Sequence, residues 1–260
     1  MIKYQFEILF LLAMIVVNTT AQPKIILKLD DLQATPALFD KCLPVFDYLA
    51  ANSVKASWGV CRLQNVDDSQ IAILSNYKNI TDTNGDPVFE FWNHGLDHSR
   101  NNPMGTWEFS GTPHDFQKTH FDSANILIKD KLGIIAHTFG APYNHIDSYF
   151  LQILSENENI KVLLLGELTP DRETGIINLT NRVNMESAVG VVDFDYFMEN
   201  FETSKEIYKD YIIIQGHPPY WNEEAFLEFR RIIEFLVAKK CEFVTPIQYY
   251  LSNHDDGLEE

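Results

Sequence analysis

Two histidines in the middle of the chain stand at a spacing that could serve one metal ion. His94 and His98 are four residues apart and directly follow the apolar run 88–92, which is typical of a short strand. If the backbone coils after that strand, both imidazoles can face one point, as ligands of one ion must. The pair alone is weak evidence, because two unrelated histidines at this spacing are more common than a metal site. Further ligands would have to come from elsewhere in the fold.

Three other polar clusters also follow apolar runs. Asp30 and Asp31 come directly after the run 24–29, the segment 140–144 (Gly-Ala-Pro-Tyr-Asn) follows a second run, and His217 follows a third. The carboxyl ends of strands are where α/β folds hold their working residues. These clusters are therefore the candidates to complete a site around the two histidines.

The elements that must bring these clusters together alternate between strands and helices at the spacing of βα units, which predicts a parallel sheet. Seven or eight strands without a Gly-x-Gly-x-x-Gly turn favour a barrel over an open doubly wound sheet. No linker or repeat interrupts the pattern, so one α/β domain is predicted over 22–260. The predicted strands are 24–29, 56–61, 88–92, 134–139, 161–165, 189–194, 211–215 and 242–244. The first predicted helix starts at Pro36, further helices cover 69–79, 114–132, 146–154, 196–209 and 223–239, and a short helix follows Pro246. The segment 169–186 has no clear pattern.

In a barrel, the carboxyl ends of all strands surround one mouth, so residues distant in sequence converge there. One aspartate and two histidines form a three-ligand set that leaves a position open for water, as in catalytic zinc sites and their relatives. The second aspartate could then act on that water as a base, and His217 could protonate a leaving group. The sequence thus predicts a hydrolytic metal site.

Charge and composition restrict the partners. A formal net charge of −17 repels phosphate backbones, so nucleic acid is not an expected partner. The same charge disfavours polyanionic glycans, except where a metal reverses the local sign. With 45% hydrophobic and 13% aromatic residues the chain is globular. Three cysteines, Cys42, Cys61 and Cys241, cannot all pair within one chain, and we expect buried thiols.

The first 21 residues are typical of a signal peptide. Lys3 precedes the apolar run 8–17, which is shorter than the roughly 20 residues that span a bilayer, and Ala21 is a small residue at the expected cleavage point. We therefore expect an exported protein, periplasmic or secreted, whose mature chain has no stable membrane insertion.

Taken in chain order, the motifs resemble those of the polysaccharide deacetylases, carbohydrate esterase family 4. The resemblance rests on Asp30-Asp31 after a first strand, His94-x-x-x-His98, the segment 139–143 (Phe-Gly-Ala-Pro-Tyr) and His217 at the end of a late strand. These motifs cover nearly the whole chain after the leader. The resemblance implies a distorted (β/α)7-type barrel and metal-dependent removal of N- or O-linked acetyl groups from a carbohydrate.

The resemblance also implies roles for individual residues. Asp30 would be the general base and His217 the general acid, and the backbone near Tyr143 would help to hold an oxyanion. A divalent metal would be held by Asp31, His94 and His98, with zinc as the first expectation and cobalt, nickel or manganese as alternatives. The acetylated glycan would contact Pro142, Tyr143, Asn144, Tyr220 and Trp221.

Two positions depart from the family's motifs. The family holds its base aspartate with an arginine at the place of Gly140, so Arg182 or another arginine would have to reach Asp30. The family's acid beside a tryptophan is replaced by 193–196 (Asp-Phe-Asp-Tyr), in which Asp193 is the expected partner of His217.

Two other functions stay open on these residues. A glycan-binding barrel could have lost turnover together with the arginine, and another metal hydrolase on the same barrel could act on an amide, an ester or a phosphoester of a non-glycan substrate. Acetate release from acetylated oligosaccharides separates the first alternative from the deacetylase, and a substrate panel separates the second. The sugar, the linkage of the acetyl group and the oligomeric state do not follow from the sequence.

Overall fold

The computed structural model describes residues 22–33 and 35–254. The predicted signal peptide, 1–21, lies outside these residues, as does the acidic segment 255–260. No helix among the described residues has the length and apolar character needed to cross a membrane.

Seven parallel strands form the main sheet, in the order β11-β1-β2-β3-β6-β7-β8. The strands of the structure are β1 Lys24–Leu32, β2 Ala56–Val60, β3 Phe89–Asn93, β4 Arg100–Asn101, β5 Thr106–Trp107, β6 Thr138–Phe139, β7 Val162–Leu164, β8 Ile177–Leu179, β9 Glu186–Ala188, β10 Val191–Val192 and β11 Tyr211–Gly216. The helices are α1 Pro36–Ala51, α2 Asp68–Lys78, α3 His114–Leu132, α4 Ser148–Ser155, α5 Phe194–Thr203, α6 Glu223–Ala238 and α7 Pro246–Asn253.

The chain that follows β8 closes the sheet into a ring. The backbone N–H of Ile213 in β11 donates to the carbonyl of Asn181 at 2.7 Å, and the N–H of Val183 donates back to the carbonyl of Ile213 at 3.0 Å. Only a short stretch of chain makes this last pairing, so the barrel is distorted. The predicted fold, a single α/β domain with a distorted (β/α)7-type barrel, is confirmed.

Apolar side chains fill the lower part of the barrel interior. Ile26 of β1 and Ile213 of β11 are in register and join one buried cluster with Trp92 of β3 and residues of β7 and β8. Strands from opposite sides of a ring can share such a cluster only inside it. Tyr249 and Tyr250 of α7 belong to the same cluster and cover the end of the barrel opposite the carboxyl ends of the strands. The open mouth therefore lies at the carboxyl ends.

The helices pack outside the barrel by their apolar faces. The side chain of Asn222 caps α6 by accepting the N–H of Ala225 at 2.8 Å, and Glu223 and Glu224 in the first turn suit the positive end of the helix dipole. The buried face of α6 includes Phe229 and Leu236. Burial of each such side chain stabilises the fold by roughly 1.5–3 kcal/mol.

Several predicted elements differ from the structure. The apolar run 189–194 was expected to be a strand of the sheet, but it contributes only β10, in a hairpin with β9 outside the barrel. Val189 and Val191 are largely exposed there, so the run buries little surface. The missing barrel strand, β8, lies in the segment without a clear pattern. The predicted strand 242–244 only bridges Ile25, and the predicted helix 196–209 ends at Thr203.

The three cysteines are free and buried, as expected. Burial raises the pKa of all three thiols, which keeps them in the unreactive protonated form.

Candidate metal and catalytic site

The end of β1 brings two carboxylates to the barrel mouth. Consecutive side chains of a regular strand point to opposite faces, so only one of Asp30 and Asp31 would face the interior. The pairing between β1 and β2 shifts register between Leu29 and Leu32, and Asp31 has a left-handed φ of 64°. A bulge of this kind redirects a side chain. Both carboxylates are consequently buried and lie beside the site histidines.

Asp31, His94 and His98 form one compact cluster. Asp31 Oδ1 lies 3.3 Å from His94 Nε2 and 2.9 Å from His98 Nε2. The three ligand atoms all lie within 4.8 Å of one another. The structure thus brings together the three residues predicted as metal ligands.

These residues fit a divalent ion. Asp31 Oδ1 is buried and has no hydrogen-bond partner among the described residues, although two imidazole nitrogens are close to it. A buried carboxylate oxygen without a hydrogen-bond donor destabilises the fold unless a cation lies next to it. One oxygen and two nitrogen donors suit zinc, cobalt, nickel and manganese, and they leave coordination positions open.

The carbonyl of Gly140 sets the orientation of His94. Its oxygen lies 2.6 Å from His94 Nδ1. A carbonyl can only accept a hydrogen bond, so the proton belongs on Nδ1, and the lone pair of Nε2 faces Asp31. Gly140 therefore positions a metal ligand through its backbone.

Positive φ angles concentrate at the site. Asp31, His98, Tyr143 and Asn144 have φ of 64°, 55°, 60° and 59°. Residues other than glycine seldom adopt this region, and those that do often lie at functional sites, where surrounding contacts hold the strained backbone. The backbone at the mouth is thus bent where the ligands and the predicted substrate segment must face inward.

A buried glutamate supports the loop between His94 and His98. Glu108 Oε1 accepts the N–H of Leu96 at 2.7 Å and of Asp97 at 3.3 Å, and His120 Nδ1 lies 3.0 Å away. The Glu108 hydrogen bond raises the pKa of His120. Asp97, Glu108 and His120 are close enough to hold an ion. Glu108 Oε1 holds the backbone N–H groups of the loop, so this cluster supports the segment that carries His94 and His98.

Asp30 carries one saturated oxygen and one free oxygen. Its Oδ2 accepts hydrogen bonds from Lys28 Nζ at 2.5 Å and from Gln215 Nε2 at 2.6 Å. Its Oδ1 is buried without a partner in the described part of the chain. Burial would raise the pKa of Asp30, but the charge of Lys28, followed by His94 and His217, lowers it. Asp30 is therefore an anionic carboxylate with one oxygen available for a proton.

Within the described residues, Asp30 has no direct contact with an arginine. Arg182 Nη1 donates to Gln215 Oε1 at 3.0 Å, and so reaches Asp30 only through the Gln215 side chain. The cation beside Asp30 is Lys28, from the same strand. The place of the family arginine beside Asp30, which the sequence left open, is thus taken by a lysine.

His217 pairs with Glu186. Its Nδ1 lies 2.6 Å from Glu186 Oε2, its backbone N–H donates to Glu186 Oε1 at 2.9 Å, and its Nε2 lies 3.8 Å from Asp30 Oδ2. Burial lowers the pKa of His217, but the Glu186 hydrogen bond and the charge of Asp30 outweigh it and raise the pKa above its usual value. His217 thus favours the protonated form, as a general acid must.

The expected partner of His217, Asp193, has a different role. Its carboxylate caps α5 by accepting the N–H of Tyr196 at 2.9 Å. An aspartate before a helix satisfies a free backbone N–H group, and this local use decides its orientation. The prediction that Asp193 pairs with His217 is wrong, because Glu186 of β9 occupies that place.

The predicted substrate residues divide between surface and core. Tyr143 is 39% exposed and Tyr220 is 42% exposed. The Tyr143 ring lies 4.6 Å from that of His98. Pro142 and Trp221 are buried, and Trp221 Nε1 donates to Glu186 Oε1 at 2.6 Å. Asn144 Nδ2 donates to Gln215 Oε1 at 3.4 Å. Contact of Pro142 and Trp221 with a substrate stays a prediction, and the structure shows both side chains buried.

Sequence reasoning missed Lys28, Glu186, Gln215 and Glu108. Lys28 and Gln215 each stand two residues before a predicted site residue on a strand, and the alternation of side chains places them on the same face. That signal was available in the sequence. Glu186 and Glu108 lie in a segment without a pattern and in a loop, where spacing gives no such signal.

Comparison with known proteins identifies the fold. The sequence matches no protein-family model and no curated protein. The structure is similar to a family 4 acetyl xylan esterase from Clostridium thermocellum in complex with a cobalt ion, with a TM-score of 0.58, 19% identity and coverage of 88% of this chain and 91% of the other. A putative polysaccharide deacetylase from Mycobacterium smegmatis has a TM-score of 0.63 at 11% identity, with 92% and 94% covered.

The same fold also occurs in a family 4 pseudoenzyme from Bacillus anthracis. That chain has a TM-score of 0.55 at 11% identity, and the similar region covers 88% of this chain and 66% of the other. Likeness at these identities establishes the architecture. The chain has the fold of the family 4 carbohydrate esterases, with an Asp-His-His candidate metal site at the mouth of the barrel.

Proposed function

We propose that the protein is a divergent, metal-dependent member of carbohydrate esterase family 4 that removes acetyl groups from a carbohydrate by hydrolysis. One observation carries the proposal. A three-ligand metal cluster, an anionic aspartate with a free oxygen and a histidine that favours its protonated form all lie at one mouth of a family 4 fold. Each of the three groups answers one requirement of acetyl hydrolysis.

The residues divide the reaction between them. A bound divalent ion supplies Lewis acidity toward the acetyl carbonyl and lowers the pKa of water. Asp31, His94 and His98 would hold it. Asp30 Oδ1 accepts the proton of the attacking water, whose oxygen bonds to the acetyl carbon. His217 gives its proton to the leaving nitrogen or oxygen as the bond from that atom to the acetyl carbon breaks, and acetate is released.

Partner and location are part of the proposal. Tyr143 and Tyr220 offer partly exposed rings at the mouth, and such rings suit the apolar face of a sugar. The substrate is then an acetylated glycan, with zinc as the proposed metal and cobalt, nickel or manganese as alternatives. We also propose export to the periplasm or the outside of the cell, on the basis of residues 1–21 of the sequence.

Acetate release from a panel of N- and O-acetylated oligosaccharides, with and without a chelator, tests the proposal. We expect release by the wild type that a chelator abolishes and metal restores. Asp30→Asn should bind metal and release no acetate, because the base is lost, whereas His94→Ala should lose both metal and activity. Equal rates for Asp30→Asn and wild type would contradict the mechanism. The same panel with simple amides, esters and phosphoesters tests a non-glycan substrate.

A second candidate is a glycan-binding barrel without turnover. It is favoured by one finding, namely that a family 4 pseudoenzyme has the same fold and that a mutant of it has restored enzymatic activity. A binder would retain acetylated oligosaccharides, with a measurable dissociation constant, and would release no acetate under any metal condition. Calorimetry beside the acetate assay separates the two candidates.

A further inference from the structure

The interior of the barrel contains a lysine directly below the proposed site. Lys28 is in register with Gln215 of β11 and with Ser57 of β2, and it precedes Asp30 by two residues on the same face of β1. Its side chain is fully buried. A charged side chain that is fully buried inside the barrel calls for an explanation.

An ammonium group taken out of water is stable only when a partner offsets the loss of hydration. Lys28 Nζ lies 2.5 Å from Asp30 Oδ2 and 5.1 Å from the centre of the Trp92 ring, whose face attracts a cation. Burial lowers the pKa of the ammonium, and the charges of Asp30 and Asp31 oppose that shift. The cation and the proposed base thus depend on each other.

The hydrogen bonds of Asp30 fix the orientation of its carboxylate. Lys28 and Gln215 both donate to Oδ2, so the rotation of the carboxylate is fixed by two donors. Oδ1 is then the oxygen without a hydrogen bond from the described residues. A base that must take a proton from water needs one oriented, unoccupied oxygen, and this arrangement leaves one.

Gly140 makes room for the lysine. A Cβ at Gly140 would lie 2.8 Å from Trp92 Cζ3 and 3.3 Å from Lys28 Cε. The space above this glycine is therefore taken by the indole ring and by the lysine stem. A side chain at position 140 would therefore displace the Trp92 ring, against which the Lys28 stem packs, and would press on Lys28 Cε itself.

We propose that Lys28 is the positioning residue of the reaction: together with Gln215 it bonds Asp30 Oδ2 and fixes the carboxylate so that Oδ1 is the oxygen left to take a proton. The inference rests on the proposed function, because it gives Asp30 the role of base. Lys28 touches no substrate and acts through Asp30. Trp92 and Gly140 are its required neighbours.

Steady-state kinetics of Lys28→Met test the role. We expect kcat for acetate release to fall about 100-fold with KM within about twofold of wild type and with full metal content, because substrate and metal contacts persist. Lys24→Met is the matched control, since Lys24 lies on the same face of β1 and donates to Ser252 at the exposed end of the barrel. We expect wild-type kinetics for it. A kcat of Lys28→Met within threefold of wild type would overturn the inference.

Melting temperatures of Lys28→Met, Asp30→Asn and the double variant test the pair without any activity. Lys28→Met alone leaves a buried carboxylate uncompensated, so the double variant should melt above it. Melting shifts that simply add in the double variant would overturn the coupling. If Lys28→Met is too unstable to purify, Lys28→Gln, which retains an N–H donor without the charge, replaces it in both measurements. Absence of acetate release by the wild type would overturn the proposed function, whereas the melting comparison still decides the pair.

Discussion

The two halves of the barrel mouth are held in place by different kinds of contact. On the metal side, His94 is oriented by a backbone carbonyl and the loop to His98 is fixed by Glu108 through backbone N–H groups. On the acid and base side, Asp30 and His217 are each fixed by a charged side chain, Lys28 and Glu186 respectively.

The difference follows from what each half must do. Metal ligands need direction, and it is supplied here by a carbonyl on one imidazole and by a carboxylate that holds the backbone N–H groups of the ligand loop. A base and an acid need defined protonation states, and a charged partner that also forms a hydrogen bond shifts those states. The two halves meet at Gly140, whose carbonyl serves His94 and whose missing side chain admits Lys28.

Loss of a metal ligand should have the largest effect. We expect zinc to raise the melting temperature of the wild type by roughly 5–10 °C, which corresponds to about 2.7 kcal/mol at a metal concentration 100 times the Kd. His98→Ala should melt at the same temperature with and without zinc. A zinc-dependent shift that persists in His98→Ala would show that the ion binds elsewhere, and would break the division between the two halves.

Removal of the loop support should weaken metal binding without abolishing it. Glu108→Leu leaves the N–H groups of Leu96 and Asp97 without their acceptor, so we expect the metal Kd to rise about 10- to 100-fold. Calorimetric titration of the metal-free protein measures this. Gln117→Leu is the control, because the Gln117 side chain is also buried and donates to Thr112 and Asp147 and not to the metal-ligand loop in the described structure. An unchanged Kd in Glu108→Leu would remove the supporting role.

Glu186→Gln should change the pH dependence and leave metal binding intact. Glu186 raises the pKa of His217, so the acid form persists to higher pH in the wild type. Without the charge, His217 loses its proton at lower pH, and the basic limb of the kcat/KM profile should move to lower pH. The profile measured from pH 5 to 10 checks this. A shift to higher pH, or none, would contradict the assignment of His217 as the acid.

Asp193→Ala should have the smallest effect and should sharpen the contrast with Glu186. The loss of the α5 cap should destabilise the protein by about 1 kcal/mol, or roughly 2–4 °C in melting temperature. The pH profile should match that of the wild type. A basic limb at a different pH in this variant would show that Asp193 does influence His217.

The metal half could be predicted from the sequence because its information is local. Asp31 adjoins the end of one apolar strand. His94 and His98 lie together in a short segment that follows a second apolar strand. Their meeting required only that the strands be parallel and share a mouth, which the alternation of elements indicates. The structure agrees with the prediction in this half.

The acid and base half could be predicted only in part. His217 was evident at its strand end, but its partner Glu186 lies in a segment with neither a helical nor a strand period, and the acidic motif at 193–196 attracted the assignment to Asp193. Contacts that depend on how a hairpin folds over the mouth have no period in the sequence. Lys28 could have been found, because the alternation of side chains along β1 places it on the same face as Asp30. A lysine on a strand gives no sign in the sequence that its side chain is buried.

Closure of the barrel has a consequence for synthesis. Lys24 at the start of β1 pairs with Tyr211 at the start of β11. One edge of the first strand therefore stays unpaired until almost the whole chain has been synthesised. Pairings between such distant segments form slowly, because a long loop must close first. A chain released from the ribosome before β11 would carry all three metal ligands and Lys28, but it would lack Gln215 and His217. Such fragments would lack the proposed acid and one of the two donors that fix Asp30.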